Sequence, residues 1–218
     1  RPGQKAAPRQ VVRIMAASRL VAKECASTGR TFRLVVHGGG EPTLHWTLLK
    51  RLVFATREVA AHAGIKWWGH IATNGLVTVK QAEWIADHFD SIGISHDGPP
   101  AIHDRQRPRQ TGKPSSPVVE RTIRVLQAKG ARLSVRTTVL PAMNDRLPDI
   151  VEYLNHRLGI REIRIEPVYQ VRGIGHAGYQ PGDADRFVRH FLAAQKAVRR
   201  CGGDLSFSGV RIDEIHGT

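Results

Sequence analysis

At 218 residues, with 41% hydrophobic and 24% charged side chains, the chain suits one filled core and is short for two. No apolar run approaches a membrane span, and the opening Arg1-Pro2-Gly3-Gln4-Lys5 leads into no signal-type segment, so we expect no membrane partner; with only two cysteines, a reducing, cytoplasmic location fits best. The net charge of +14 gathers in two stretches, +7 over residues 1–36 and +8 over 105–136. Such patches attract nucleic acid or acidic protein. No aromatic residues interleave with the arginines, which argues against nucleic acid and for solvated helix faces.

After Pro8 a helical period runs to about residue 28, and Gly29 closes it. Cys25 shares a face with Met15, Ser18 and Ala22, the place of a core thiol. Cys25 and Cys201 are the only cysteines, too few for a disulfide framework or a cysteine-only metal site. Residues 32–37 read as a strand entering three glycines, followed by a helix over 46–62 closed by Gly64. The unit recurs as strand 67–72 with helix 78–88. It recurs again as strand 91–95, a long loop and helix 117–129. Strand 132–140 with helix 147–158, and strand 162–166 with helix 183–200, complete the series. Strands alternating with helices at this spacing mean parallel βα units. Five are counted, preceded by a helix with no strand before it. Such a sheet is doubly wound or a full or partial barrel, with active groups on the loops after the strands.

Those loops carry the chemistry. The first strand ends in His37-Gly38-Gly39-Gly40-Glu41-Pro42-Thr43, and the second in Ala72-Thr73-Asn74-Gly75. The third ends in Ser95-His96-Asp97-Gly98-Pro99 and continues to His103-Asp104-Arg105-Gln106-Arg107; the fifth ends in Glu166-Pro167-Val168-Tyr169-Gln170. Glycines admit a ligand close to the backbone, and carbonyls beside a carboxylate suit an ammonium group. Taken alone, Gly39-Gly40-Glu41-Pro42 suits a plain strand-to-helix turn equally well.

Together the endings resemble the radical S-adenosylmethionine enzymes, in the branch with a C-terminal SPASM domain that includes anaerobic sulfatase-maturating enzymes and ribosomal-peptide maturases. The resemblance implies an α/β fold, a partial parallel (β/α)6-type barrel related to the TIM barrel, over residues 1–205. Residues 206–218 would begin a linker toward a SPASM-like region. It further implies that Gly39, Gly40, Glu41 and Pro42 meet the amino group of S-adenosylmethionine, with Asn74 nearby. Ser95 and Arg107 would meet its carboxylate, and Val168 its adenine. Substrate-side candidates are His37, Asn74, Arg136, Glu166, Tyr169 and Gln170.

The implied activity is an oxidoreductase-type peptide maturase. A [4Fe-4S] cluster and S-adenosylmethionine would yield a 5′-deoxyadenosyl radical acting on a peptide or protein side chain. An acidic substrate would suit the basic loop 105–113, and a flavodoxin or ferredoxin would supply electrons. The departure is the family's Cys-x-x-x-Cys-x-x-Cys triplet, which this chain lacks. We therefore expect no metal ligands in this chain, a missing first strand, cluster ligands upstream of residue 1, and a fragment inactive by itself. The alternative is a cluster-free relative that only binds S-adenosylmethionine.

Rival classes are weaker. A metal-dependent hydrolase on the same barrel would use His37, His70, His96, Asp97, His103 and Asp104, but no His-x-His or His-Glu-x-x-His pair appears. An α/β-hydrolase would need a Gly-x-Ser-x-Gly elbow, which is absent. A nucleic-acid-binding module explains the charge and not the strand-end motifs.

Overall fold

The computed structural model describes residues 8–38, 40–168 and 182–207, with side chains from residue 12 onward. Helix α1 (Pro8–Thr28) leads into six strands: β1 (Phe32–Val36), β2 (Trp67–Thr73), β3 (Ser91–Ser95), β4 (Leu133–Val139), β5 (Glu162–Pro167) and β6 (Asp204–Phe207). All neighbours pair in parallel, and the sheet order follows the chain order from β1 to β6. A doubly wound sheet reverses its strand order at a switch point. This one never reverses, which is the winding of a barrel. The connecting helices are α2 (Trp46–His62), α3 (Val79–His88), α4 (Pro100–Gln106), α5 (Ser116–Ala128), α6 (Leu147–Glu152) and α7 (Asp183–Arg200). A π turn over Tyr153–Arg157 continues α6.

Two elements go beyond the five expected units. β6 adds a sixth strand and carries the sheet past residue 205, while residues 208–218 lie outside the described residues. Helix α4 forms inside the stretch read as a long loop, started by Pro100 at its first turn. Among the described residues, no helix is long and apolar enough to cross a membrane.

The strands alternate strictly. Ile71, Ile92, Ile94, Val135, Ile163, Ile165 and Leu205 are buried on the convex face, against the helices. Their neighbours in sequence, among them His70, Ser95, Arg136 and Arg164, turn to the concave face, where the register sets Ser95 beside Arg136 and Arg136 beside Arg164. Parallel sheets are ordinarily apolar on both faces because helices cover both. Here helices cover one face, and the polar other face lines a lumen. Cys25 takes the expected face of α1 but is only half-buried; its thiol lies 3.8 Å from the Thr31 carbonyl oxygen.

Candidate active site

At the carboxyl ends of β1 to β5 the concave face opens into a cavity of about 490 Å³. Its rim holds His37, Gly38, Gly40 and Glu41 from the loop after β1, Asn74 after β2, and Ser95 at the end of β3. Its floor and far wall include His70, Gly93, Ser134, Arg136 and Arg164.

Glu41 ties the first two strand ends together. Its Oε1 accepts hydrogen bonds from the Thr43 amide (3.1 Å), the Thr43 hydroxyl (2.7 Å) and the Thr73 hydroxyl (2.8 Å). Its Oε2 accepts from the Asn74 amide at 2.6 Å. The carboxylate thus fastens the turn that follows the glycines to the end of β2, while Gly38 and Gly40 line the cavity. Gly40, at φ 138°, takes a conformation that a side chain would strain. Asn74 caps its own turn, its Oδ1 accepting from the Leu76 amide at 2.9 Å. Pro42 opens a 3₁₀ turn, Pro42–His45, and stands behind the rim rather than on it. Ser95 lines the cavity, and its hydroxyl makes no hydrogen bond to any described residue.

The remaining third-strand motif is spent on architecture. Asp97 is fully buried; its Oδ2 accepts from Arg107 Nε at 2.7 Å and its Oδ1 from the Thr138 amide at 2.9 Å. Arg107 also donates through an Nη to the Thr138 hydroxyl at 2.9 Å. It is therefore committed to fastening β3 to β4 and does not line the cavity. Asp104 caps α5, accepting from the Ser115 and Ser116 amides at 2.7 Å each. Partial burial pushes its pKa up, but the bonds from Ser116 and Ser115 together outweigh that and hold the carboxyl below its usual range. Gly98 meets Ile150 so closely that a Cβ would lie 2.9 Å from the isoleucine Cγ2.

His96 and His103 stack at 4.2 Å between ring centroids, both buried and away from the cavity. His96 accepts from the Gly98 amide and His103 from the Asp97 amide, each through Nδ1, so both rings are neutral with the proton on Nε2. Burial, then the nearby His103 and Arg107, pushes the His96 pKa down to about 3. Burial also lowers the His103 pKa, against the opposing charge of Asp97. Of the six residues a hydrolase would need, these two and Asp97 are thus withdrawn into the fold.

Val168 bounds a second, smaller cavity of about 170 Å³ with Phe187 and Phe207, so it is not brought together with Glu41 and Ser95. Glu166 bridges Arg136 (3.2 Å) and Arg164 (3.1 Å). Gly39, Tyr169 and Gln170 lie outside the described residues. The sequence reading did not single out Thr73 or Arg164, and it raised His70 only as a metal ligand. Strand alternation places the last two on the polar face, which was the available signal.

No family model matches the chain. It is 21% identical over 158 residues to the cysteine-type anaerobic sulfatase-maturating enzyme of Clostridium perfringens, covering 71% of this chain and 43% of that protein. Among solved structures, native anSMEcpe with bound AdoMet and the Cp18Cys peptide has a TM-score of 0.74 at 19% identity, over 89% of this chain and 54% of that one. SuiB of Streptococcus suis bound to its precursor peptide SuiA has a TM-score of 0.63 at 14% identity, over 97% and 44%. The chain has the fold of these structures, and its sequence is similar to that of a sulfatase-maturating enzyme. The chain spans about half the length of these relatives.

Proposed function

We propose that this chain is the S-adenosylmethionine-binding core of a radical S-adenosylmethionine enzyme that modifies a peptide or protein side chain. The observation that carries the reading is the convergence of Gly40, Glu41, Asn74 and Ser95, from three successive strand ends, on one cavity. Gly40 beside Glu41 suits the methionyl ammonium, and the Ser95 hydroxyl, without a partner among the described residues, suits the carboxylate. The adenine contact that the family resemblance implies for Val168 would require the cofactor to reach beyond this cavity, because Val168 lines the separate one beside Phe187. Arg107 acts on the cofactor only through the strand end it fastens. His37, Arg136 and Glu166 face the substrate side.

An iron–sulfur cluster does not fit the residues of this chain. Among the described residues no group of three His, Cys, Asp or Glu side chains is placed to hold a metal, and Cys25 and Cys201 stand on α1 and just after α7. Thiolates on several irons are what such a cluster requires. The reading therefore assigns cluster, radical chemistry and a flavodoxin or ferredoxin reductant to a longer protein, with ligands upstream of residue 1. Calorimetric titration tests the cradle: S-adenosylmethionine should bind more tightly than adenosine, and equal affinities would defeat the reading. After anaerobic reconstitution with iron and sulfide, the chain by itself should show no cluster absorbance and release no 5′-deoxyadenosine.

A further inference from the structure

The lumen holds a feature that the cofactor cradle does not use. Ala72, Gly93 and Ser134 are register partners on β2, β3 and β4, so three small residues lie side by side across the concave face. They form a trough, with His70 one step toward the amino ends and Arg136 one step toward the carboxyl ends. The His70 ring lies over Gly93: a Cβ there would meet its Cε1 at 3.4 Å and its Nε2 at 3.6 Å. Ser91 holds the ring through Nδ1 at 3.1 Å, which leaves Nε2 for a ligand. Arg136 is half-exposed, its Nε lies 3.2 Å from a Glu166 carboxylate oxygen, and a guanidinium has further N–H donors to offer a ligand. Arg33, on the same face, lies over the Trp68 ring at 4.3 Å, and Trp68 stacks parallel to His70.

We propose that this trough is a carboxylate subsite, in which His70 and Arg136 grip an acidic side chain of the substrate peptide. The proposal rests on the reading above in taking the substrate to be a peptide. The charge around His70 supports it. Burial lowers the His70 pKa first, and His37, Arg136 and Arg33 lower it further; the Ser91 hydrogen bond opposes them, and no carboxylate among the described residues does. S-adenosylmethionine carries a net positive charge of its own and adds to that field, whereas an acidic side chain offsets it. A guanidinium gives a carboxylate two parallel hydrogen bonds, and the imidazole adds a third donor from the other end of the trough. The methionyl carboxylate offers the same chemistry; the reading above gives it to Ser95, which pairs in register with Arg136, so competition between probe and cofactor decides between them.

The probes are N-acetylglutamate N-methylamide and its glutamine counterpart, followed through the imidazole NMR signals of the chain. The acidic probe should bind at least tenfold more tightly and move the His70 signals. Arg136→Gln should abolish the preference with an unchanged melting temperature, and Arg136→Lys should retain part of it. Equal binding of the two probes would overturn the proposal, and so would displacement of the acidic probe by excess S-adenosylmethionine. S-adenosylmethionine is titrated separately into the same samples. Loss of that binding strikes the cofactor reading alone, since the carboxylate preference is read without it.

Discussion

The two faces of the sheet are made from alternate residues of the same six strands and answer to different demands. On the convex face, Ile71, Ile165 and Leu205 are wholly buried, and any side chain of the right volume would serve. On the concave face, Ser95, Arg136 and Arg164 are wet, and their identity matters for what they touch rather than for what they fill. Stability is invested on one side and recognition on the other, one residue apart.

Substitutions can break that division. Ile165→Ala removes three methylene equivalents from the packed face and should cost about 3 kcal/mol in urea unfolding. Ser134→Ala, from the adjoining strand's concave face, should change stability by less than about 0.5 kcal/mol. Equal losses would mean that the concave face is also packed. Arg107 is the residue that crosses the division, since the family resemblance puts it with the cofactor and the structure sets it against Asp97. Arg107→Ala removes a guanidinium that is 30% exposed and strands the buried Asp97 carboxylate, so about 2 kcal/mol should be lost. A variant of wild-type stability with weakened S-adenosylmethionine binding would restore the cofactor role.

Acid should loosen the packed side. Unfolded, His96 titrates near the ordinary value of about 6.5, and folded it titrates at about 3. Its contribution is complete above the unfolded value and drains away as pH falls from 6.5 toward 3. At pH 5 the loss is about 2 kcal/mol, and His103 adds in the same direction. His96→Asn keeps an acceptor for the Gly98 amide and should flatten the change in urea midpoint between pH 7 and 5. An unaltered slope would place the acid sensitivity elsewhere. The smallest stability effect belongs to Ser95→Ala, under about 0.5 kcal/mol, with S-adenosylmethionine affinity reduced roughly threefold or more.

Periodicity alone revealed five strands and their helices, because each is long and ends at a glycine or a polar loop. It missed β6, whose Asp204-Leu205-Ser206-Phe207 offers only two apolar positions. It missed α4, seven residues whose hold on the fold comes from His103 and Asp104 reaching Asp97 and α5. The rim of the cavity was legible from the strand-end motifs. Its floor was not, since nothing in a run such as Trp68-Gly69-His70 says that one face lacks helices. Nor does the spacing of Asp97 and Arg107 reveal that the aspartate is dry, and that dryness decides where the arginine goes.

Sequential strand order has a consequence for how the chain finds its fold. Every strand pairs with the next in the chain, at separations from 21 residues for His70 and Ser91 to 42 for Glu162 and Asp204. Doubling a loop adds about 0.6 kcal/mol to the entropy of closing it, so the β2–α3–β3 unit closes most readily. The capping box of α3, in which Thr78 and Gln81 each bond the other's backbone amide, favours the same segment before any tertiary contact exists. Assembly can then proceed outward in both directions, each new strand meeting an edge already formed, and no pairing waits on the far end of the chain.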